Sequence, residues 1–221
     1  MVYLIARLIL KPLFLLVFRP HVRGKENVPV RGPFIIASNH LSFIDSMVIP
    51  LMAPRKVGYL AKAEYFTTPG FGGWWTRVLF TALGALPVHR GTHRAAQEAL
   101  DTAMSVLNEG GGFGIYPEGT RSKDGKLARG KTGVGWLALT AGCPVVPVGV
   151  IGTDKIQPIG ANWPRPHRCT VTFGEPLTFP ELAGQAGSNR ARREVTDRIM
   201  NAIAELSGQE KAGWGDAVSS R

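Results

Sequence analysis

Phe34-Ile35-Ile36-Ala37-Ser38-Asn39-His40-Leu41-Ser42-Phe43-Ile44-Asp45-Ser46 is the stretch on which the reading of this chain turns. Its first residues form a short apolar run, which suits a strand buried on both faces. Its polar centre interrupts that run. Ser42-x-x-Asp45 then has the form of a helix start, with 46–52 continuing as helix. Working outward, the same kind of short run recurs at 57–61, 85–88, 112–116, 145–151 and 169–173. Helical patterns lie between several of them. At 93–107, Ala96, Ala99, Leu100, Ala103, Met104 and Leu107 line one face behind Thr92 as N-cap. A second helix includes 136–140, and Val195, Ile199, Ile203 and Leu206 mark an amphipathic helix over 190–206. Strands alternating with helices predict an α/β single domain, with a largely parallel central sheet flanked by helices.

At 221 residues the chain is long enough to bury a core without disulfides or metals. We divide it into a hydrophobic helix at 1–20, the α/β domain at 21–206, and a flexible tail at 207–221. The polar, basic residues 21–31 read as a linker. Cys143 and Cys169 have no metal-ligand spacing, so neither a disulfide framework nor a zinc site is expected. Lys and Arg number 26 against 16 Asp and Glu, a net charge of +10, which favours an anionic partner. The basic residues are spread along the chain without interleaved aromatics or a recognition motif, so nucleic acid is not expected.

Residues 2–18 are mostly Leu, Ile, Val and Phe, interrupted by Arg7, Lys11 and Pro12. As a helix they span only about 25 Å, short of a ~30 Å hydrocarbon core. A helix lying in the membrane interface, with Arg7, Lys11 and Arg19 reaching lipid phosphates, fits the pattern better than a span. The alternative is a helix packed on the core. No small-residue cleavage site follows the run, which disfavours a signal peptide. Phe71-Gly72-Gly73-Trp74-Trp75-Thr76-Arg77 reads either as an interfacial anchor or as a wall of the core or of an apolar tunnel.

The chemistry centres on His40 and Asp45. A bend between strand and helix brings the carboxylate back to the imidazole, where it would set the tautomer and stabilise the imidazolium. A capping box between Ser42 and Asp45 is the competing explanation. There is no G-x-S-x-G, and neither cysteine lies beside a histidine, so the pair suits deprotonation of an acceptor's own hydroxyl. A second polar island, Tyr116-Pro117-Glu118-Gly119-Thr120-Arg121-Ser122, has the makings of a phosphate cradle. Taken alone, it equally suits an ordinary turn. Lys126, Arg129 and Lys131 follow it, and Arg90 ends another strand.

Four motifs in order carry a resemblance. Asn39 to Asp45, Gly84-Ala85-Leu86-Pro87-Val88-His89-Arg90, Tyr116 to Ser122, and Val146-Pro147-Val148 are similar to the four motifs of the glycerolipid acyltransferases, the 1-acylglycerol-3-phosphate acyltransferase family. The resemblance covers roughly 20–180. It implies an acyltransferase domain at 21–206, with His40 as general base and Asp45 as its partner. Glu118, Gly119, Thr120 and Arg121, with Arg90, would handle the acceptor's glycerol phosphate. Lys62 falls where the family often has a phosphate-facing lysine, and Lys131 is a similar carry-over. The implied reaction moves a fatty acyl group from acyl-CoA or acyl-carrier protein to lysophosphatidate, without cofactor or metal. Glycerol 3-phosphate, another lysophospholipid or a membrane alcohol are alternative acceptors. A non-catalytic protein binding acidic lipid or nucleic acid is the rival of another class. The expected location is monotopic, on the anionic cytoplasmic face of the cell membrane.

Overall fold

A computed structural model describes residues 2–88 and 93–214. Its centre is a seven-stranded sheet built from β1 (His21–Arg23), β2 (Phe34–Ser38), β3 (Val57–Lys62), β4 (Ala85–Val88), β5 (Gly112–Ile115), β6 (Val145–Ile151) and β7 (Thr170–Phe173), in the order β1-β7-β6-β2-β5-β3-β4. β6, β2, β5, β3 and β4 run parallel, while β7 pairs antiparallel to β6 and carries β1 beside it. The largely parallel α/β sheet expected from the apolar runs is therefore present.

Period-two alternation divides the strands between two cores. Phe34, Ile36, Val57, Tyr59, Val146, Val148 and Val150 face one side. There they pack against Val48, Ile49, Leu51 and Met52 of α2 (Asp45–Met52), and against Phe14 of α1 (Val2–Phe18). Ile35, Ala37, Phe113 and Val145 face the other side. They meet Ala103 and Leu107 of α5 (His93–Asn108), Val134 and Leu137 of α6 (Gly133–Ala141), and Val195, Ile199 and Ile203 of α8 (Asn189–Ser207). The helical stripes read from sequence thus face the sheet. The expected N-cap Thr92 lies outside the described residues.

Two elements differ from expectation, and a third adds a helix to it. His21–Arg23, read as linker, is an edge strand paired with β7. Its alternating His and Arg side chains are exposed and carry no apolar signal, so only the neighbouring strand reveals it. Residues 70–82 form α4 (Gly70–Ala82) behind the single turn α3 (Glu64–Thr67), despite the glycines at its start. The tail is packed as far as Trp214. After Gly208, whose φ of 66° ends α8, the chain bridges Leu127 at Lys211. The buried Trp214 indole N–H then donates to Leu127 O at 2.7 Å.

α1 packs on the domain through Phe14 and Phe18, whose rings lie 4.6 Å apart, and leaves Leu8, Ile9, Leu13 and Leu16 exposed. Arg7, expected at lipid phosphate, instead donates to Ala53 O at 2.6 Å, where α2 ends. Lys11 has its pKa lowered, first by burial and then by the positive charges of Arg7 and Lys25. Among the described residues no helix is long and apolar enough to cross a membrane.

Candidate active site

Parallel strands place their carboxyl ends on one edge of the sheet, and the loops that follow them meet there. The loop after β2 carries His40, the loop after β5 carries 116–122, and Lys62 is the last residue of β3. Lys62 pairs with Val88 of β4 at that edge. Arg90, two residues past β4, lies outside the described residues.

Asp45 is fully buried and closes the turn between β2 and α2. Its Oδ2 accepts from the Leu41 and Ser42 N–H groups at 2.7 Å each and faces His40 Nδ1 at 2.9 Å. An oxygen already accepting two backbone bonds meets Nδ1 as an acceptor, which puts the proton on Nδ1 and leaves Nε2 free to take one. The bond from Ser42 N–H is half of a capping box, while Ser42 Oγ donates elsewhere, to Gln157 O at 2.7 Å. One carboxylate oxygen thus meets both the His40 ring and the Ser42 N–H.

The two polar islands are joined. His40 N–H donates to Glu118 Oε1 at 3.1 Å, and Ser122 N–H donates to His40 O at 2.7 Å. Glu118 Oε2 accepts from Ala128 N–H at 2.9 Å. This buried carboxylate is thus committed to backbone, and it tethers the loops rather than pointing at solvent. Burial pushes the Glu118 carboxyl up, against the bonds from Ala128 and His40. Tyr116 stacks on the His40 ring, with centroids 3.8 Å apart and planes at 9°. Its hydroxyl pairs with Ser46 Oγ at 3.1 Å. Burial, then Tyr59 and the Asp45 charge, push the Tyr116 phenol well above its ordinary range, so it stays neutral.

Beside this unit, Gly119 adopts φ 74°, and a Cβ there would lie 2.8 Å from Lys131 Nζ. Only glycine supplies both that backbone angle and the lysine's approach. The lysine amine and the Gly119 turn thus share one corner. Thr120 and Lys131 are exposed and Arg121 is half-buried. Neighbouring cations are already paired: Lys126 with Glu210 at 3.0 Å and Arg129 with Asp197 at 3.8 Å. Among the described residues no cluster of His, Cys, Asp and Glu could hold a metal ion.

Sequence reasoning missed Tyr116 as a stacking partner and Gln209 as a brace. Gln209 Oε1 accepts from Asn39 Nδ2 at 2.7 Å, and its own Nε2 donates to Gly125 O at 2.7 Å. Asn39 also bonds both backbone groups of Val150, at 2.8 Å each. Tyr116 was visible inside the motif. Nothing in the local pattern marks Gln209, which stands 170 residues from its partner.

The model of the Acyltransferase family matches residues 19–151, and the chain belongs to that family. Among relatives, a chloroplastic 1-acyl-sn-glycerol-3-phosphate acyltransferase of Brassica napus is 33% identical over 66% of this chain and 41% of its own length. The Bacillus subtilis 1-acyl-sn-glycerol-3-phosphate acyltransferase is 27% identical over 85% of this chain and 88% of its own. The chain spans 41% and 39% of the two chloroplastic relatives from Brassica napus and Arabidopsis thaliana. A crystal structure of the 1-acyl-sn-glycerophosphate acyltransferase of Thermotoga maritima superposes with a TM-score of 0.66 at 28% identity, covering 94% of this chain and 81% of that one.

Proposed function

We propose that this acyltransferase esterifies the free hydroxyl of lysophosphatidate to give phosphatidate. The observation that carries the reading is the pair of buried Asp45 and partly exposed His40, bound through Glu118 and Ser122 to the basic loop that follows β5. The relatives' names supply the acceptor.

His40 Nε2 takes the proton of the acceptor hydroxyl as its oxygen attacks the thioester carbonyl. Collapse of the tetrahedral centre breaks the C–S bond, and the imidazolium returns its proton to the leaving thiolate. Asp45 stabilises the imidazolium while it exists. Arg121 and Lys131 hold the acceptor's phosphate, with the Thr120 hydroxyl as a further donor and Gly119 allowing close approach; Lys62 and Arg90 are further candidates from their motif positions. Glu118 acts by holding His40 and Ala128 in place. The donor is acyl-CoA or acyl-carrier protein. The exposed apolar stripe of α1, joined by exposed Trp74 on α4, rests on one leaflet without crossing it. The cytoplasmic face suits these donors.

The test is thiol release from acyl-CoA by purified protein across a panel of acceptors, with the product identified by mass. Release that requires lysophosphatidate and yields phosphatidate supports the reading. Equal or faster release with glycerol 3-phosphate or a lysophospholipid of larger headgroup would replace the acceptor. No release with any acceptor would favour a lipid-binding role.

A further inference from the structure

The segment between β6 and β7 has a composition that neither the core nor the candidate site requires. After β6 the single turn α7 (Thr153–Ile156) buries Ile156 in the same core as Phe14 and Ile44. The chain then runs out as a loop over 157–168, with every side chain from Asn162 to Arg168 exposed. Near its tip stand two large apolar groups, Ile159 at 42% and Trp163 at 83% exposure. Lys155, Arg165, His167 and Arg168 flank them, against Asp154 as the one acid between 152 and 169.

The loop is built rather than loose at its root. Arg165 N–H donates to Ile156 O at 2.7 Å, Ala161 N–H to Pro158 O at 3.0 Å, and Gln157 Nε2 to Ala161 O at 3.1 Å. The root also touches the His40 turn, because Gln157 O accepts from Ser42 Oγ. Strand register fixes its side of the molecule. Ile151 at the end of β6 pairs with Thr170, which pairs with His21 just after α1. Both ends of the loop, the end of α1 and the His40 turn therefore share one edge of the sheet.

The geometry points to this loop as a second bilayer contact: Ile159 and Trp163 enter the headgroup layer of an anionic membrane while Lys155, Arg165 and Arg168 meet lipid phosphates. Indole and guanidinium both favour that layer, and an exposed apolar tip inside a basic collar matches its two chemistries. An acidic carrier protein would complement the cations but leave the apolar tip unused. By sheet order the loop lies between the end of α1 and the His40 turn, so a membrane against this edge would bring a lipid acceptor beside the turn. This contact deepens the proposed function, yet its binding test does not depend on turnover.

The test uses the full chain and two double variants, Ile159→Ser with Trp163→Ser and Arg165→Glu with Arg168→Glu. Partition is measured on phosphatidylcholine vesicles with and without phosphatidylglycerol. The apolar variant should lose about ten-fold or more on both vesicle types. The charge variant should lose about ten-fold or more on anionic vesicles alone, an effect that fades with added salt. Both should keep the parent turnover of a water-soluble, short-chain lysophosphatidate. Unchanged partition of both variants overturns the inference, and so does a raised KM for the acyl thioester as the sole effect, which would make the loop a donor-docking surface. Absence of turnover by the parent chain would count against the acyltransferase reaction, while the vesicle measurement would still decide the loop.

Discussion

In the proposed mechanism the reaction rests on His40, because its Nδ1 is committed to Asp45 and, among the described residues, no second base of that geometry joins it. His40→Ala should lower turnover about 10²–10⁴-fold with the fold retained. Asp45→Asn should be comparably damaging, since an amide oxygen can accept from the Leu41 and Ser42 N–H groups and from Nδ1–H but carries no negative charge to stabilise the imidazolium. Steady-state kinetics beside circular dichroism check both, and near-parental activity of folded His40→Ala protein would end the mechanism. Arg121 is the residue proposed to hold the acceptor's phosphate. Among the described residues its guanidinium has no ion pair, and Arg121→Lys should raise the acceptor KM because an ammonium cannot form a bidentate fork on phosphate. Kinetics unchanged for both Arg121→Lys and Arg121→Ala would remove that contact. Glu118 teaches a different lesson. The motif marks it beside Arg121 as a phosphate-handling residue, yet its carboxylate is spent on His40 and Ala128 backbone. A motif records which residues are needed, not what each one touches.

At the scale of elements, α1 has one face packed on the domain and one left exposed. Phe14 and the Arg7–Ala53 bond fasten one face to α2, so deleting the helix would disturb the core as well as any membrane contact. Substituting Ile9, Leu13 and Leu16 by Ser leaves that inner face intact. This variant should melt near the parent temperature but bind liposomes about ten-fold or more weakly, as flotation would show. Equal flotation would contradict the interfacial role. The segment 208–214 is a strap rather than a tail. It reaches the site by two routes, from Gln209 to Asn39 and from Leu127 through Ala128 and Glu118 to His40. Gln209→Met keeps the side-chain length and removes both hydrogen bonds. Leaving Asn39 Nδ2 short of a partner typically costs about 1–3 kcal/mol. We expect a lowered melting temperature together with a lowered kcat, and unaltered kinetics in this variant would show that the strap does not brace the site.

For the molecule as a whole, the two buried thiols report on integrity. Burial pushes Cys143 up to about 11 and Cys169 up to about 12, from an ordinary value near 9. Their folded pKa values lie above the unfolded ones, so between roughly pH 9 and 12 the unfolded chain releases protons that the folded chain keeps. Stability should therefore fall as pH rises through that window, measured as a dropping denaturant midpoint, and alkylation at pH 8 should wait for unfolding. Rapid labelling of the native chain would contradict the burial. The sequence by itself determined the sheet's apolar strands, the stripes of α5, α6 and α8, and the His40 and Glu118 loops, because burial on two faces, 3.6-residue spacing and strand-end polarity are local properties of the chain. Tertiary structure alone decided the edge strand His21–Arg23, the strap at 208–214, the stacking of Tyr116 on His40 and the pairing of Lys126 and Arg129 with acids far away in sequence. Each of these depends on a partner brought near only by the folded sheet, and a polar side chain carries no periodic mark of the partner it will meet.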